Sequence, residues 1–283
     1  MPPKSKLGQN FLRDESAMER IALALGPVAD RTVVEIGPGL GAITERIAAR
    51  AGRLRVVELD HQLALRLQVH FGSRIEVVEQ DVLKFDFVAA ASAAGQKLVV
   101  AGNLPYYITS PILIRLAEQA QAIELAVLMV QREVADRVAA QPGSRDYGLL
   151  SITTQMYGPV ERLFTLPPEA FSPPPEVYSA VFRWRFQPRF DELGVTPRPF
   201  LSIVKAAFAQ KRKTLANNLR AAGLAAGVVA DALHQAGIDP AARAEALPIE
   251  SFAALSRVLG PALSLNGVPD GDPDKKTNRA PIR

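Results

Sequence analysis

Asn103, Leu104, Pro105 and Tyr106 follow an apolar run, Lys97-Leu98-Val99-Val100-Ala101-Gly102, that reads as a buried strand. Residues just past the C-terminal end of a parallel strand lie where open α/β sheets bind their ligands. The asparagine offers a carbonyl acceptor and an NH₂ donor. Proline withholds an N–H and restricts the residue before it, so nearby carbonyls can point outward. The tyrosine adds a flat face. Together these groups suit a planar heterocycle with an exocyclic amine; an ordinary strand ending in a proline turn is the plainer alternative.

A second grouping, Glu35-Ile36-Gly37-Pro38-Gly39-Leu40-Gly41-Ala42, follows another strand and opens a helix. Its glycines allow a tight turn and close approach of the backbone to a ligand. Glu58 ends the next strand, where an acid can take both hydroxyls of a ribose. Asp81, with Val82 beside it, ends the third strand and suits an adenine amine, or else caps a turn. Loop and Glu58 together point to an adenosine-containing cofactor. The pattern G-x-G-x-x-A leaves a dinucleotide open. S-adenosylmethionine would instead set its amino-acid end near Glu35 and the glycine backbone.

These residues need a parallel sheet to position them, and the chain alternates accordingly. Ser16 and Glu19 fit a capping box ahead of Met18, Ile21, Ala22 and Leu25 at helical spacing. Strands are expected at 32–36, 54–59, 75–78, 98–102 and 126–130. Helices are expected at about 42–51, 61–71, 110–119 and 132–140, with a helix end and loop at 88–96. This is the pattern of a parallel sheet covered on both faces. Segments 151–157 and 178–186 alternate more cleanly and read as edge strands. Residues 187–199 read as a linker, and helical patterns follow at 199–208, 212–222, 227–236 and 249–259. Residues 1–13 read as an arm and 261–283 as a disordered tail.

Composition narrows the class. At 283 residues, 48% hydrophobic and 22% charged, the chain suits one large or two smaller globular domains. The absence of cysteine excludes disulfides and thiolate metal sites and fits a reducing cytosol. No secretory signal is read at 1–14, and the longest apolar stretch, about 122–130, is broken by Glu124 and too short to span a bilayer. The net charge of +4 is unevenly spread. Arg198, Lys205, Lys211, Arg212, Lys213 and Arg220 occur with no acid among them, and Lys4, Lys6 and Arg13 precede the first acid. Acid-free basic segments suit phosphate contacts, or else are solvated helix faces.

Seven segments in order carry a resemblance. They are Gly8–Leu12, Val34–Gly41, Glu58–Asp60, Gln80-Asp81, Gly102–Tyr106, Phe171–Pro175 with Val177 and Ser179, and Phe208–Leu215. The chain resembles the small-subunit rRNA adenine dimethyltransferase family. That likeness implies an α/β, Rossmann-like class I methyltransferase sheet over 14–187 and a smaller all-helical rRNA-binding domain over 198–260. It implies S-adenosylmethionine as cofactor; the sulfonium needs no metal, the cysteine-free composition fits the cytoplasm, and monomer is the default oligomeric state. The implied substrate is 16S rRNA in a partly assembled small subunit, with two adjacent adenines of its terminal hairpin loop dimethylated. By the same likeness Asn10 and Leu12 close over the cofactor, with Glu35, Gly37, Gly39, Gly41, Glu58, Asp81, Val82 and Asn103 around it. Asn103 and the Leu104 carbonyl accept the target amine's hydrogens beside Pro105, and Tyr106 and Phe171 stack on the base. The basic residues named above contact RNA. Glu176 stands where the family usually has lysine and Tyr178 where it has a small polar or acidic residue, which puts a phosphate contact there in doubt. A large-subunit resistance methyltransferase would usually show Ile for Leu104 and a basic residue for Pro174. A DNA adenine methyltransferase would lack the Gly8–Leu12 arm and the basic block. The complete Asn103–Tyr106 element argues against a non-catalytic binder of nascent ribosomes or DNA that keeps the fold, while an additional assembly role stays open; a nicotinamide dehydrogenase leaves Asn103–Tyr106 unexplained.

Overall fold

Val33-Val34, Val56-Val57 and Val99-Val100 set β-branched side chains on both faces of their strands, all nearly inaccessible to solvent. Strands buried on both faces belong to a parallel sheet sandwiched between helices. The structure, a computed structural model, describes residues 10–265, with side chains to residue 260. Lys4, Lys6, Gly8, Gln9 and the expected tail from residue 266 lie outside the described residues.

The chain runs β1 (Phe11–Leu12), α1 (Glu15–Ala24), β2 (Thr32–Ile36), α2 (Thr44–Ala48), β3 (Arg53–Glu58), α3 (His61–Phe71) and β4 (Glu76–Glu79). It continues α4 (Phe87–Ala94), β5 (Leu98–Asn103), α5 (Thr109–Glu118), β6 (Ile123–Gln131), α6 (Arg132–Ala139) and α7 (Leu149–Met156). Then come β7 (Val160–Leu166), β8 (Phe171–Ser172), β9 (Ser179–Arg185), and α8 (Pro197–Ala207), α9 (Leu215–Ala221), α10 (Ala226–Gln235) and α11 (Ile249–Leu265).

Seven strands form one sheet in the order β4-β3-β2-β5-β6-β9-β7. The first five are parallel, while β9 is antiparallel to both β6 and β7. Glu35 lies opposite Val56 and Ala101, and Asn103 opposite Met129, so the C-terminal ends of β2, β3 and β5 form one edge. Helices α1, α2 and α3 cover one face. The other face packs against α4, α5 and α7, and that buried cluster continues without a break into Phe200, Leu215, Leu219 and Phe252 of the C-terminal helices. Separately, β1 and β8 form a two-stranded antiparallel ribbon, Leu12 opposite Phe171.

Several sequence expectations need correction. Segment 151–157 is helical, not an edge strand. Ser151, Ile152, Thr154 and Met156 are all buried, and the hydroxyls serve the backbone: Ser151 Oγ accepts from Gly148 N at 3.0 Å and donates to Arg137 O at 2.6 Å, while Thr154 Oγ1 donates to Leu150 O at 2.7 Å. The true edge strand is β7, whose half-exposed pattern and register shift between Arg162 and Phe164 hide its alternation. Strand β9 is internal. Helix α1 is capped by Asp14, which accepts from Ala17 N at 2.9 Å, rather than by Ser16. The 187–199 stretch packs tightly, with Arg189 N donating to Met156 O at 3.0 Å and Phe190 buried. Helix α9 begins at Leu215, leaving Lys211–Lys213 in a turn, and α11 runs past residue 260.

Phe200 is fully buried where α8 meets the sheet layer, its ring edge-on to Phe190 at 6.0 Å. Phe200→Ala is expected to cost about 3–5 kcal/mol of stability, read as a lowered urea midpoint with unchanged slope; a shift under 1 kcal/mol would show that this contact is not central to the core.

Candidate active site

Three strand ends and the N-terminal arm line one cleft, concave and mostly apolar with a few polar groups, as small-molecule sites are. Asn10 and Leu12 line it from the arm; Glu35, Gly37, Gly39, Glu58, Asp81 and Val82 from the first three strand ends and loops. Asn103, Leu104, Pro105 and Tyr106 close the far wall. Gly41 and Phe171 stand outside this lining. A β-carbon on Gly41 would meet the Phe71 ring at 2.9 Å, so that glycine faces α3. Phe171 is buried in β8 beside Leu12.

The glycine loop is tied to β3 by Glu58. Its Oε2 accepts from Gly39 N at 3.1 Å, and its Oε1 from Leu59 N at 2.9 Å and Asp60 N at 3.0 Å. A carboxylate has roughly four acceptor positions, so a ribose hydroxyl would take the remaining one or displace Gly39. Gly39 itself has φ +59°, and a β-carbon there would lie 3.1 Å from the Phe11 ring. Asp81 caps the following turn, Oδ1 accepting from Leu83 N at 2.9 Å, while still lining the cleft.

Glu35 is different. It is 2% exposed, and its Oε2 has no hydrogen-bond partner among the described residues. Burial pushes its carboxyl up to about 7; the Thr44 hydroxyl opposes this without a well-aligned hydrogen bond, and the Glu58 charge adds to the rise. A buried acid that lines a cleft and has an oxygen without a hydrogen-bond partner suits a cationic group of a ligand.

Across the cleft, Asn103 Nδ2 donates to the Asn10 carbonyl at 3.1 Å. Since a carbonyl can only accept, this bond fixes which way the amide points. Asn103 Oδ1 is left as an acceptor. Leu104 N donates to Met129 O at 2.9 Å, and none of the hydrogen bonds among the described residues ends on the Leu104 carbonyl. Tyr106 OH lies 2.6 Å from Ser179 Oγ. Burial pushes the phenol up, the serine partly offsetting it, so the ring is neutral at pH 7. Two neutral acceptors and an oriented ring can hold an aromatic amine.

The arm is pinned to the strand after the site. Arg13 N donates to Ala170 O at 2.7 Å, continuing the β1–β8 pairing. The predicted basic residues Arg13, Lys205, Lys211, Arg212, Lys213 and Arg220 are all exposed, and none lines the cleft. The turn carrying Lys211–Lys213 is held by Asn218, whose Nδ2 donates to Ala207 O at 2.7 Å and Gln210 O at 3.1 Å. Asn218, the exposed cleft-lining Leu59 and Tyr107, and the Tyr106 partner Ser179 were not singled out by sequence roles. A lone serine opening an apolar strand was the available signal for Ser179.

A sheet of this order with a reversed strand inserted next to its edge, and a cleft at its C-terminal side, defines a Rossmann-like class I methyltransferase. The ribosomal RNA adenine dimethylase family model matches residues 3–260, and the chain belongs to that family of enzymes. It is 58% identical over 258 residues to the ribosomal RNA small subunit methyltransferase A of Acidobacterium capsulatum, covering 90% of this chain and 91% of the relative. The protein of the same name from Koribacter versatilis is 48% identical over 269 residues, covering 90% and 94%. Among solved structures, the 23S rRNA methyltransferase ErmE is 28% identical with a TM-score of 0.67, covering 89% of this chain and all of that one. A dimethyladenosine transferase from Plasmodium falciparum shares the fold with a TM-score of 0.76 at 21% identity, covering 89% and 98%.

Because Glu35 titrates near 7 folded and near 4.5 otherwise, the folded chain holds a proton that the unfolded chain has released between those values. Its contribution is therefore most favourable below 4.5 and declines as pH rises through 7, by on the order of 3 kcal/mol. Ligand-free Glu35→Gln is expected to exceed the wild type in urea midpoint at pH 8, with the gap closing toward pH 5. Parallel pH profiles for the two proteins would refute the buried, unpartnered state of Glu35.

Proposed function

We propose that the enzyme transfers methyl groups from S-adenosylmethionine to the N6 amines of two adjacent adenines in the 3′-terminal hairpin loop of 16S rRNA, within a partly assembled small subunit. Residues 14–187 carry the chemistry and 198–260 bind the RNA, in a cytoplasmic monomer. The observation that carries this reading is the Asn103 amide, turned by Asn10 so that its carbonyl faces the cleft beside the unoccupied acceptor of Leu104.

The cofactor fits on this chain's own terms. The free Glu35 oxygen suits an ammonium, Glu58 a ribose, and Asp81 an adenine amine. Phe11 packs over Gly39, and with Asn10 and Leu12 closes the cleft from above. When bound, S-adenosylmethionine supplies an electrophilic methyl on a sulfonium.

An adenine N6 amine is a poor nucleophile because its lone pair is spread into the ring. Asn103 Oδ1 and the Leu104 carbonyl accept its two hydrogens, draw the nitrogen toward a tetrahedral geometry and aim its lone pair. Tyr106, anchored by Ser179, stacks on the base, with Phe171 supporting the wall behind. No strong base is required, since the proton can leave after transfer. Catalysis is then positioning and electrostatics. The target must be unstacked, and stacking of about 1–3 kcal/mol per base cannot pick one adenine from a ribosome. Selection falls to the basic turn and helices reading phosphates and shape.

The decisive experiment is methyl transfer from labelled S-adenosylmethionine to undermethylated small subunits, followed by digestion to nucleosides. Label in N6,N6-dimethyladenosine supports substrate and product together; absence of label with cofactor bound sinks the assignment. Asn103→Ala is expected to retain cofactor binding and lose at least tenfold in turnover, about 1.4 kcal/mol; wild-type turnover would remove Asn103 from the mechanism. Neutralising Lys211, Arg212 and Lys213 together is expected to weaken RNA binding and reduce its log–log salt slope by about one per lost phosphate contact. An unchanged slope would mean that these cations do not meet the RNA.

A further inference from the structure

Tyr178 is 46% exposed and Val177 43%, in the segment leading into β9. The Arg132 guanidinium lies 5.1 Å from the Tyr178 ring centroid. Arg132 N also donates to the Tyr178 carbonyl at 2.9 Å, so backbone geometry keeps cation and ring together. The two border a second cleft, distinct from the one at the strand ends, whose other walls include Glu133, Asp136 and Asp146.

Charge decides what this cleft can hold. Glu133 pairs with Arg137, and Asp136 with Arg162, so neither supplies free negative charge. Arg132 remains, with Asp146 on the cleft wall as a counterweight. A phosphate seat needs converging cations, and Glu176 stands nearby in sequence where a basic residue would have added one. An exposed aromatic face with a guanidinium behind it suits an unpaired nucleobase instead.

Its position fits the same occupant. The residue after Tyr178 is Ser179, bonded to Tyr106 at the mouth of the catalytic cleft. The residue after Asp146 is Tyr147, which lines a small cleft together with Lys211 and Lys213. One residue along the chain thus links this cleft to the catalytic cleft, and one residue links it to the small cleft that Lys211 and Lys213 line.

We propose that Tyr178, backed by Arg132, is a stacking platform for an unpaired base of the substrate RNA flanking the methylated one. This rests on the rRNA reading above and adds a positioning residue to it. The test measures KM and kcat for methyl transfer to undermethylated small subunits over a range of salt, with cofactor binding and thermal midpoint measured alongside. Tyr178→Ala is expected to raise KM about tenfold, with kcat, cofactor binding and the salt slope of KM unchanged. Tyr178→Trp is expected to restore KM to near wild type. A wild-type KM for the alanine variant, or failure of tryptophan to rescue it, overturns the platform. A flattened salt slope would assign the site to a phosphate and overturn stacking. A wild-type enzyme that binds cofactor but leaves the subunits unmethylated defeats the rRNA reading itself, and does so before any variant is compared.

Discussion

A β-carbon on residue 102 would stand 2.8 Å from the Ile36 carbonyl oxygen and 3.2 Å from a Leu104 methyl. The approach of β5 to β2 at that point sets the geometry on which the remaining site depends. Strand β2 has β3 on one side and β5 on the other, so the connections leaving β2 and β5 diverge and open a crevice. Glycine lets the two backbones close to a distance at which Gly37 lies against the Asn103 carbonyl. The glycine loop and the acceptor pair consequently share one cleft. Any side chain at 102 would push apart the two halves of the chemistry.

The cleft contains two buried carboxylates treated in opposite ways. Glu58 accepts three backbone N–H groups and acts as a brace for the glycine loop. Glu35 is left with an orphan oxygen, at a cost in stability that a cationic ligand would relieve. One acid braces the loop, and the other carries an uncompensated buried oxygen. The opposite wall carries no charge: Asn103, Leu104 and Tyr106 offer neutral acceptors and a ring. This division suits a cationic methyl donor on one side and a neutral amine on the other.

Much of this was legible in the sequence because the informative residues are local. Asn103–Tyr106, the glycine loop, Glu58 and Asp81 each sit at the end of a strand whose apolar run is unmistakable. Asp81 shows that the plain reading, a turn cap, is compatible with a place in the cleft wall: one oxygen caps a turn while the residue lines the cleft. Errors fell where tertiary contacts decide. The β-branched run Ile152-Thr153-Thr154 alternates like a strand, yet Thr154 Oγ1 donates to backbone carbonyls in a helix whose Ser151, Ile152, Thr154 and Met156 are buried. Strand β7 was missed because its charged, half-exposed edge carries little period. Gly41 looks like a ligand glycine and is in fact required by Phe71. The hold of Asn218 on the basic turn links residues with no local signature. The Phe11–Ser172 pairing is likewise invisible from a two-residue strand.

That pairing has a consequence for the order in which the protein is made. The roof of the cofactor cleft comes from residues near the start of the chain, but its anchor, Ala170 to Ser172, is synthesised only after β2 to β7. During translation the residues that Asn10 and Phe11 meet, Asn103 and Gly39, emerge before the strand that pairs with the arm. The roof closes late, over a floor already built. A chain that ends before β8 lacks the strand that pairs with Phe11 and Leu12, so the completed ribbon marks a chain synthesised past Ser172.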